Sequence, residues 1–461
     1  MGLFGIILSL VLLMYLAYRG INVLILAPLL SLLAVLFAGG LPILGTYTQV
    51  FMKALGNYLT TFFPLFMLGA IFGKVMADSG SARAIAQWIV EKLGAEQAIL
   101  AITLACAILT YGGVSLFVVA FAVYPISVAL FRRADVPKRL IPGTIALGSF
   151  TFTMTALPGT PAIQNAIPMP FFGTTPFAAP VLGTLAGLIM FAGGVAWLRL
   201  RARAAARRGE GFGDHPRTDA DAALAEDAAL PDFRIAIAPV VAVIVINAIM
   251  TYLVIPNLDT AFLAEERYGP TSLDAVRGIW AIVTALVISI VLTIGLNWSR
   301  LTDLKETVNK GTLGSMLPVF NTSSEVGYGA VIASLPAFFL VRDAVLNIAP
   351  DNPLISLAVA VNVLAGITGS ASGGMSIALQ TLGPQFAEMA QAAGISPGLM
   401  HRVAALSSGG FDALPHNGAV ITLLAICGLT HRQSYPDIFV VAVLIPVFAT
   451  IVVVLLGSMG L

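Results

Sequence analysis

The sequence predicts an all-α polytopic membrane protein made of two inverted-topology repeats, each with a re-entrant hairpin and a broken transmembrane helix. Three observations carry that reading: an apolar, charge-poor composition, a series of stretches of membrane-spanning length, and motifs that recur in the same order in both halves. Of the 461 residues, 58% are hydrophobic and 10% charged, and the mean hydropathy is +0.94. Soluble globular proteins carry about 25% charged residues. The composition therefore excludes a disordered chain, a nucleic-acid binder and an ordinary cytosolic enzyme, and it makes the lipid bilayer the main partner.

A bilayer core of about 30 Å takes about 20 helical residues. Apolar stretches of that kind lie at 2–18, 21–39, 52–77, 140–172, 178–198, 233–256, 276–296, 311–335, 399–430 and 436–458. Gly2–Ala17 has no basic residue before it, so it reads as a first membrane helix rather than a secretory signal. Cys106 and Cys427 sit in separate apolar runs and read as buried thiols.

Basic residues mark cytoplasmic ends. Arg19 follows the first span, which places the N-terminus outside. Lys74, Arg83 and Lys92 follow the third span, and Arg132, Arg133, Lys138 and Arg139 follow 97–131. Stretch 97–131 thus begins and ends on the cytoplasmic side, and it is too short for two crossings. It is expected to be a re-entrant hairpin with its tip near Gly112 and Gly113. By the same alternation, 352–393 is a second hairpin open to the outside, and 336–350 is a short surface segment. Residues 199–234 hold seven Arg and seven Asp or Glu. Expected domains are therefore a first repeat over 1–198, a charged cytoplasmic linker over 199–232 and a second repeat over 233–461.

The repeat is visible in three pairs of motifs. Phe72-Gly73-Lys74-Val75-Met76-Ala77 matches Tyr328-Gly329-Ala330-Val331-Ile332-Ala333. Tyr111-Gly112-Gly113-Val114-Ser115-Leu116 matches Ser372-Gly373-Gly374-Met375-Ser376-Ile377. Ala156-Leu157-Pro158-Gly159-Thr160-Pro161-Ala162-Ile163 matches Ala413-Leu414-Pro415-His416-Asn417-Gly418-Ala419-Val420. The offsets are 256, 261 and 257. Inverted repeats with broken helices characterise secondary transporters.

Pro158, Gly159 and Pro161 cannot all continue a helix, nor can Gly409, Gly410 and Pro415. Backbone groups freed there must be satisfied by protein or by a lined cavity. Half-helix N-termini at such breaks carry partial positive charge. Two tips and two breaks converging at mid-membrane would cradle a small carboxylate without Arg or Lys. Candidate substrate-binding residues are Gly112, Gly113, Ser115, Pro158, Gly159, Thr160, Asn165, Gly373, Gly374, Ser376, Pro415, His416, Asn417 and Gly418. Each hydroxyl could instead bond back to its own helix. Ionisable residues at membrane depth are costly and functional by default. Asp412, His416 and Glu325 are thus the proton-coupling candidates, with Asn321 and Ser323 as further possibilities. His416 titrates near neutrality when unperturbed. Asp412 could alternatively fix the His416 tautomer or cap the second half-helix, and Glu325 could be a structural acceptor.

Phe320-Asn321-Thr322-Ser323-Ser324-Glu325-Val326-Gly327-Tyr328-Gly329-Ala330-Val331-Ile332-Ala333, together with Gly409–Val420, resembles the gluconate permease (GntP) family of the ion transporter superfamily. The resemblance is nearest to the branch associated with 3-hydroxybutyrate. Where the sugar-acid branch carries Ser-His-Val-Asn-Asp, this chain has Leu414-Pro415-His416-Asn417-Gly418. The resemblance implies scaffold and transport domains, elevator motion, a homodimer, a bacterial inner-membrane location and symport of an organic anion with a cation. H⁺ is the expected coupling ion, because the Ser-Asn-Thr tips of sodium-coupled relatives are absent, although hydroxyls and carbonyls could still hold Na⁺. No cofactor and no metal are expected. Rival readings are a gluconate or other sugar-acid symporter, a channel, a non-transporting scaffold and an intramembrane hydrolase. The hydrolase reading lacks a Gly-x-Ser-x-Gly elbow at Ser115 or Ser376.

Overall fold

The structure, a computed structural model, describes residues 1–213, 230–269 and 271–460. The centre of the charged linker falls outside the described residues. Among them the chain is helical, with no strand. Helices α1 (Gly2–Tyr18), α2 (Val23–Ala38) and α3 (Ile43–Asp78) open the chain. A short α4 (Ser81–Leu93) follows, then a hairpin of α5 (Ala98–Tyr111) and α6 (Leu116–Arg133). The first broken helix consists of α7 (Ile141–Ser149), α8 (Phe152–Thr155), α9 (Ile163–Ala166) and α10 (Met169–Phe172). Helix α11 (Pro180–Ala206) ends this half.

The same order then recurs. Helices α12 (Phe233–Ile249), α13 (Leu273–Leu296) and α14 (Leu304–Ser334) precede a short α15 (Phe338–Leu346). Helices α16 (Pro353–Thr368) and α17 (Ala371–Ala392) form the second hairpin. The second broken helix is α18 (Pro397–Ser408) and α19 (Gly418–Cys427), bent by 54° at its break. Helix α20 (His431–Ser458) is last. Local chemistry sets many of these starts: Asn22, Asp303, Ser370, Ser396 and Asn417 each accept a first-turn amide at a helix N-cap.

Equivalent helices of the two halves run antiparallel. Along α3 and α14, Asp78 accepts a hydrogen bond from Thr307 at 2.7 Å, Ile71 packs on Gly311 and Phe51 packs on Gly327. Along α11 and α20, Ile445 lies on Gly193 while Asp437 pairs with Arg201 at 2.8 Å. The broken helices cross in the same sense, with Thr155 against Gly409 and Asn165 bonded to His401 at 3.1 Å. In each pair, numbers rise in one helix as they fall in the other, which is the inverted relation the motifs predict. Glycines at the crossings let the backbones approach closely, as in membrane bundles generally.

Among the described residues, six helices are long and apolar enough to cross a membrane, or up to nine if each bent pair is one span. Large apolar side chains point outward along them, including Leu29 (60% exposed), Val291 (65%) and Leu313 (70%). A surface of that kind suits lipid. Inside, Ile6, Leu13, Leu26, Phe51, Leu55 and Val331 form one core between α1, α2, α3 and α14, and a larger core joins the hairpins to the broken helices. Both cysteines are free and buried.

Four expectations need correction. Spans three and eight start earlier than their apolar stretches, at Ile43 and Leu304, because the polar turns there continue the helix. Residues 81–93, where Arg83 and Lys92 point to a cytoplasmic loop, form a helix with Ile85 and Ile89 buried and Gln87, Glu91 and Lys92 exposed. Its 13 residues are too short to span. The second half of the first broken helix is two single turns, α9 and α10, so it offers no extended half-helix N-terminus. Lastly, the tip of the second hairpin is at Gly369 (φ +62°) and Ser370, not at Gly373 and Gly374, which lie in the first turn of α17.

Candidate substrate and coupling site

Each hairpin tip is bonded to the break of its own half. Tyr111, at the first tip, donates to the Pro158 carbonyl at 2.6 Å, and Gly113 faces Pro161. At the second tip the Asn417 amide donates to the Gly369 carbonyl at 2.8 Å, and Gly369 lies against the His416 ring. Because the breaks themselves cross at Thr155 and Gly409, the order in space is tip, break, break, tip. Sequence reasoning places these four irregular segments together, and the structure does so.

The first break is satisfied by protein. The Thr155 carbonyl accepts from Arg402 Nη1 at 3.1 Å, Gly159 from Asn247 Nδ2 at 3.1 Å and Thr160 from Asn165 Nδ2 at 3.0 Å. The Gly159 amide donates to the Pro176 carbonyl at 2.8 Å. Gly159 has φ +84°, and the Phe177 ring occupies the space a Cβ would need. Freed backbone groups in the membrane require this kind of accounting. Two candidate ligands are consumed by it. Asn165 also donates to Pro176 at 2.9 Å and pairs with His401 through Oδ1, and Thr160 is fully buried with its hydroxyl accepting from the Ala162 amide. Gly112 packs against Val240 of α12.

The second break is more open. Asn417 caps α19 through the Val420 amide at 2.9 Å, so Asp412 does not cap that helix. No hydrogen bond joins Asp412 and His416. One oxygen of Asp412 and Nε2 of His416 are buried without a hydrogen-bond partner. Pro415 accepts at its carbonyl from His431 at 2.8 Å, Ala413 accepts from Tyr435 at 3.1 Å, and Gly418 begins α19.

Glu325 belongs to a separate cluster. It is 2% exposed on α14, and its Oε2 fills the place of a Cβ on Gly373, with the Ser370 hydroxyl beside it. That explains why residue 373 is glycine. Thr322 approaches Ser372 at 3.2 Å, and Ser376 and Tyr58 also face this carboxylate region. Gly374 packs on the Ala365 backbone within the hairpin. Ser323 bonds back to Val319 at 2.6 Å, Asn321 Oδ1 has no partner, and Ser115 caps α6 by position but without a side-chain hydrogen bond. Among the described residues no cluster of three His, Cys, Asp or Glu could hold a metal.

Sequence reasoning missed His401 and Arg402. Both are fully buried on α18 and reach the other half's broken helix, at Asn165 and Thr155. Their signal was present: two ionisable residues in an apolar run. Their nearness to the start of that run masked it.

Crossed, broken helices of opposite direction, each clasped by a hairpin tip, define a membrane transporter. Known proteins agree. The chain matches the family described as GntP family permease over residues 1–459, and it belongs to that family. It is 47% identical over 98% of both chains to YxjC, an uncharacterized transporter of Bacillus subtilis. A Haemophilus influenzae uncharacterized transporter is 32% identical over 29% of this chain and 31% of its own. Two solved transporters share the fold at low identity. The Alcanivorax borkumensis YdaH transporter, described as having an unusual topology, superposes with TM-score 0.57 at 14% identity, over 88% of this chain and 87% of its own. Neisseria gonorrhoeae MtrF, reported among antimetabolite efflux pumps, gives 0.57 at 10% over 90% and 84%. The protein is therefore an integral membrane transporter that binds a small-molecule substrate, not an enzyme.

Proposed function

We propose that the chain imports a small hydroxy- or keto-monocarboxylate, 3-hydroxybutyrate first, together with H⁺. The observation that carries this is the paired, inverted junction of hairpin tip and helix break, with ionisable side chains concentrated in the second half. The first break is closed by its own hydrogen bonds, whereas Asp412 and His416 keep unpaired buried atoms beside a half-helix N-terminus. That arrangement suits a carboxylate at the second break, with Asp412, His416 and, in its own cluster, Glu325 as the proton-coupling groups. Leu414-Pro415-His416-Asn417-Gly418 presents few hydroxyl or amide groups for a polyol chain, which favours a short acid over gluconate.

On this reading the chain is a homodimer in the bacterial inner membrane, with its N-terminus outside and 1–198 and 233–461 as the two repeats. Helices α1–α3 and α12–α14 form a scaffold, and the hairpins with the broken helices move against it as an elevator. The test is uptake of labelled 3-hydroxybutyrate into proteoliposomes, with inward proton and sodium gradients imposed separately and gluconate as competitor. Proton-driven uptake that gluconate does not inhibit is the expected result. Gluconate binding without 3-hydroxybutyrate uptake would move the substrate to the sugar acids, and sodium-driven uptake would replace the coupling ion.

A further inference from the structure

Arg402 is a buried cation that the second-break site does not use. Its side chain is 0% exposed. Nε and Nη2 donate to the Ala178 carbonyl at 3.2 and 2.8 Å, and Nη1 donates to the Thr155 carbonyl at 3.1 Å. A guanidinium has five N–H donors, so two lack a protein acceptor. None of the ion pairs among the described residues includes Arg402. His401, adjacent in sequence, and the Tyr111 phenol interact with it electrostatically, and neither supplies a negative charge. Isolated buried charges are expensive in protein and more so at membrane depth. Two carbonyl dipoles offset part of that cost and leave a net positive charge over the first break. The surroundings fit the guanidinium closely: a Cβ on Gly183 would lie 3.0 Å from Nε.

We propose that Arg402 is the charge-selecting residue of the carrier. The anion it favours is the monocarboxylate substrate, and it acts through its field rather than by contact. The guanidinium is 0% exposed and is held by the Ala178 and Thr155 carbonyls. Thr155, whose carbonyl it grips, lays its side chain against Gly409, immediately before the second break. One fixed charge acting over several ångströms at an effective dielectric near 20 changes anion affinity by about tenfold or more. A neutral substrate of the same shape gains nothing from it. This inference rests on the anion-transport reading.

The experiment uses the full chain in proteoliposomes, with 3-hydroxybutyrate as substrate and 3-hydroxybutyramide as a neutral competitor of the same shape. In Arg402→Gln, KM for the acid should rise about tenfold while inhibition by the amide stays within about threefold. Arg402→Lys should keep the preference for the acid. If Arg402→Gln does not fold, Arg402→His takes its place, and its acid-over-amide preference should fall with rising pH more steeply than the wild type's. A variant that loses melting temperature or maximal rate but keeps the full acid-over-amide preference would show a purely structural brace and overturn the proposal. If the wild type carries neither compound, the anion reading itself has failed, whatever the variants do.

Discussion

The Asn417 side-chain amide donates to the Gly369 carbonyl at 2.8 Å, while its Oδ1 accepts from the Val420 amide at 2.9 Å. One residue thus caps a half-helix and straps a hairpin tip to it. The two roles separate by substitution. Asn417→Asp keeps the cap acceptor and loses the strap donor. Asn417→Ala loses both and should cost about 1–2 kcal/mol. Thermal melting in detergent should rank the wild type above Asp and Asp above Ala. Uptake should fall sharply in both variants, because the strap is absent from both. Full uptake by Asn417→Asp would show that the tip needs no tether.

Gly369 has φ +62°, and a Cβ there would lie 2.8 Å from His416 Cδ2. Gly369→Ala therefore carries about 1–2 kcal/mol of backbone strain and displaces the imidazole. Uptake driven by a pH gradient should drop by at least tenfold. A melting shift accounts for the strain but not for that loss. Gly394→Ala, at φ +68° after α17 and with nothing within 4 Å of an added Cβ, controls for strain alone. Equal transport by the two variants would count against a role for His416.

Glu325 and Gly373 are matched: the carboxylate occupies the space where any larger residue at 373 would begin. Gly373→Ala should expel it and inactivate transport. Glu325→Gln keeps the shape and removes the exchangeable proton, so it should retain substrate exchange across the membrane while losing accumulation driven by a pH gradient. Accumulation equal to wild type in Glu325→Gln would remove Glu325 from proton coupling and leave it a structural acceptor.

Much of this was legible in the sequence, because hydropathy and proline act locally. The spans follow apolar stretches, and both breaks follow Pro158, Pro161 and Pro415, where a helix loses its donors. The first hairpin tip was also legible, since Gly112-Gly113 ends α5. The same composition misled at the second tip. Gly373 and Gly374 are glycines for close approach, to Glu325 and to the Ala365 backbone, and not for positive φ. The turn was instead coded by Gly369 and the capping Ser370. Asn165, His401 and Arg402 were least legible. His401 bonds Asn165 and Thr174, and Arg402 bonds Thr155 and Ala178, all more than 200 positions away. No local pattern encodes partners at that distance.

An ionic network fastens the start of the charged linker to the second half. Asp437 is 1% exposed and takes Arg139 Nη1 at 3.1 Å, Arg201 Nε at 2.8 Å and the Trp197 indole at 3.1 Å. Removing the carboxylate leaves two arginines short of their anion. Asp437→Asn should destabilise by roughly 3 kcal/mol, the scale for breaking a buried pair. Melting in detergent reads this directly, and a change below about 1 kcal/mol would place the network with weak surface pairs.

Glu210 completes that network from the linker side, its two oxygens meeting Arg139 Nε at 2.5 Å and Nη2 at 3.0 Å. The Arg139 hydrogen bond holds the Glu210 carboxyl below its ordinary range, with the neighbouring arginines adding to the effect. A carboxylate of depressed pKa stabilises the folded state above its unfolded pKa, and that contribution fades as pH falls through the lower folded value. Glu210 is 37% exposed, so solvent screening keeps the effect under about 1 kcal/mol. Glu210→Gln should therefore melt slightly below the wild type at neutral pH. The gap should persist down to the ordinary glutamate range near 4.3 and close only in stronger acid. It should also shrink in high salt. A gap that is independent of both pH and salt would mean that Glu210 acts through packing, not charge.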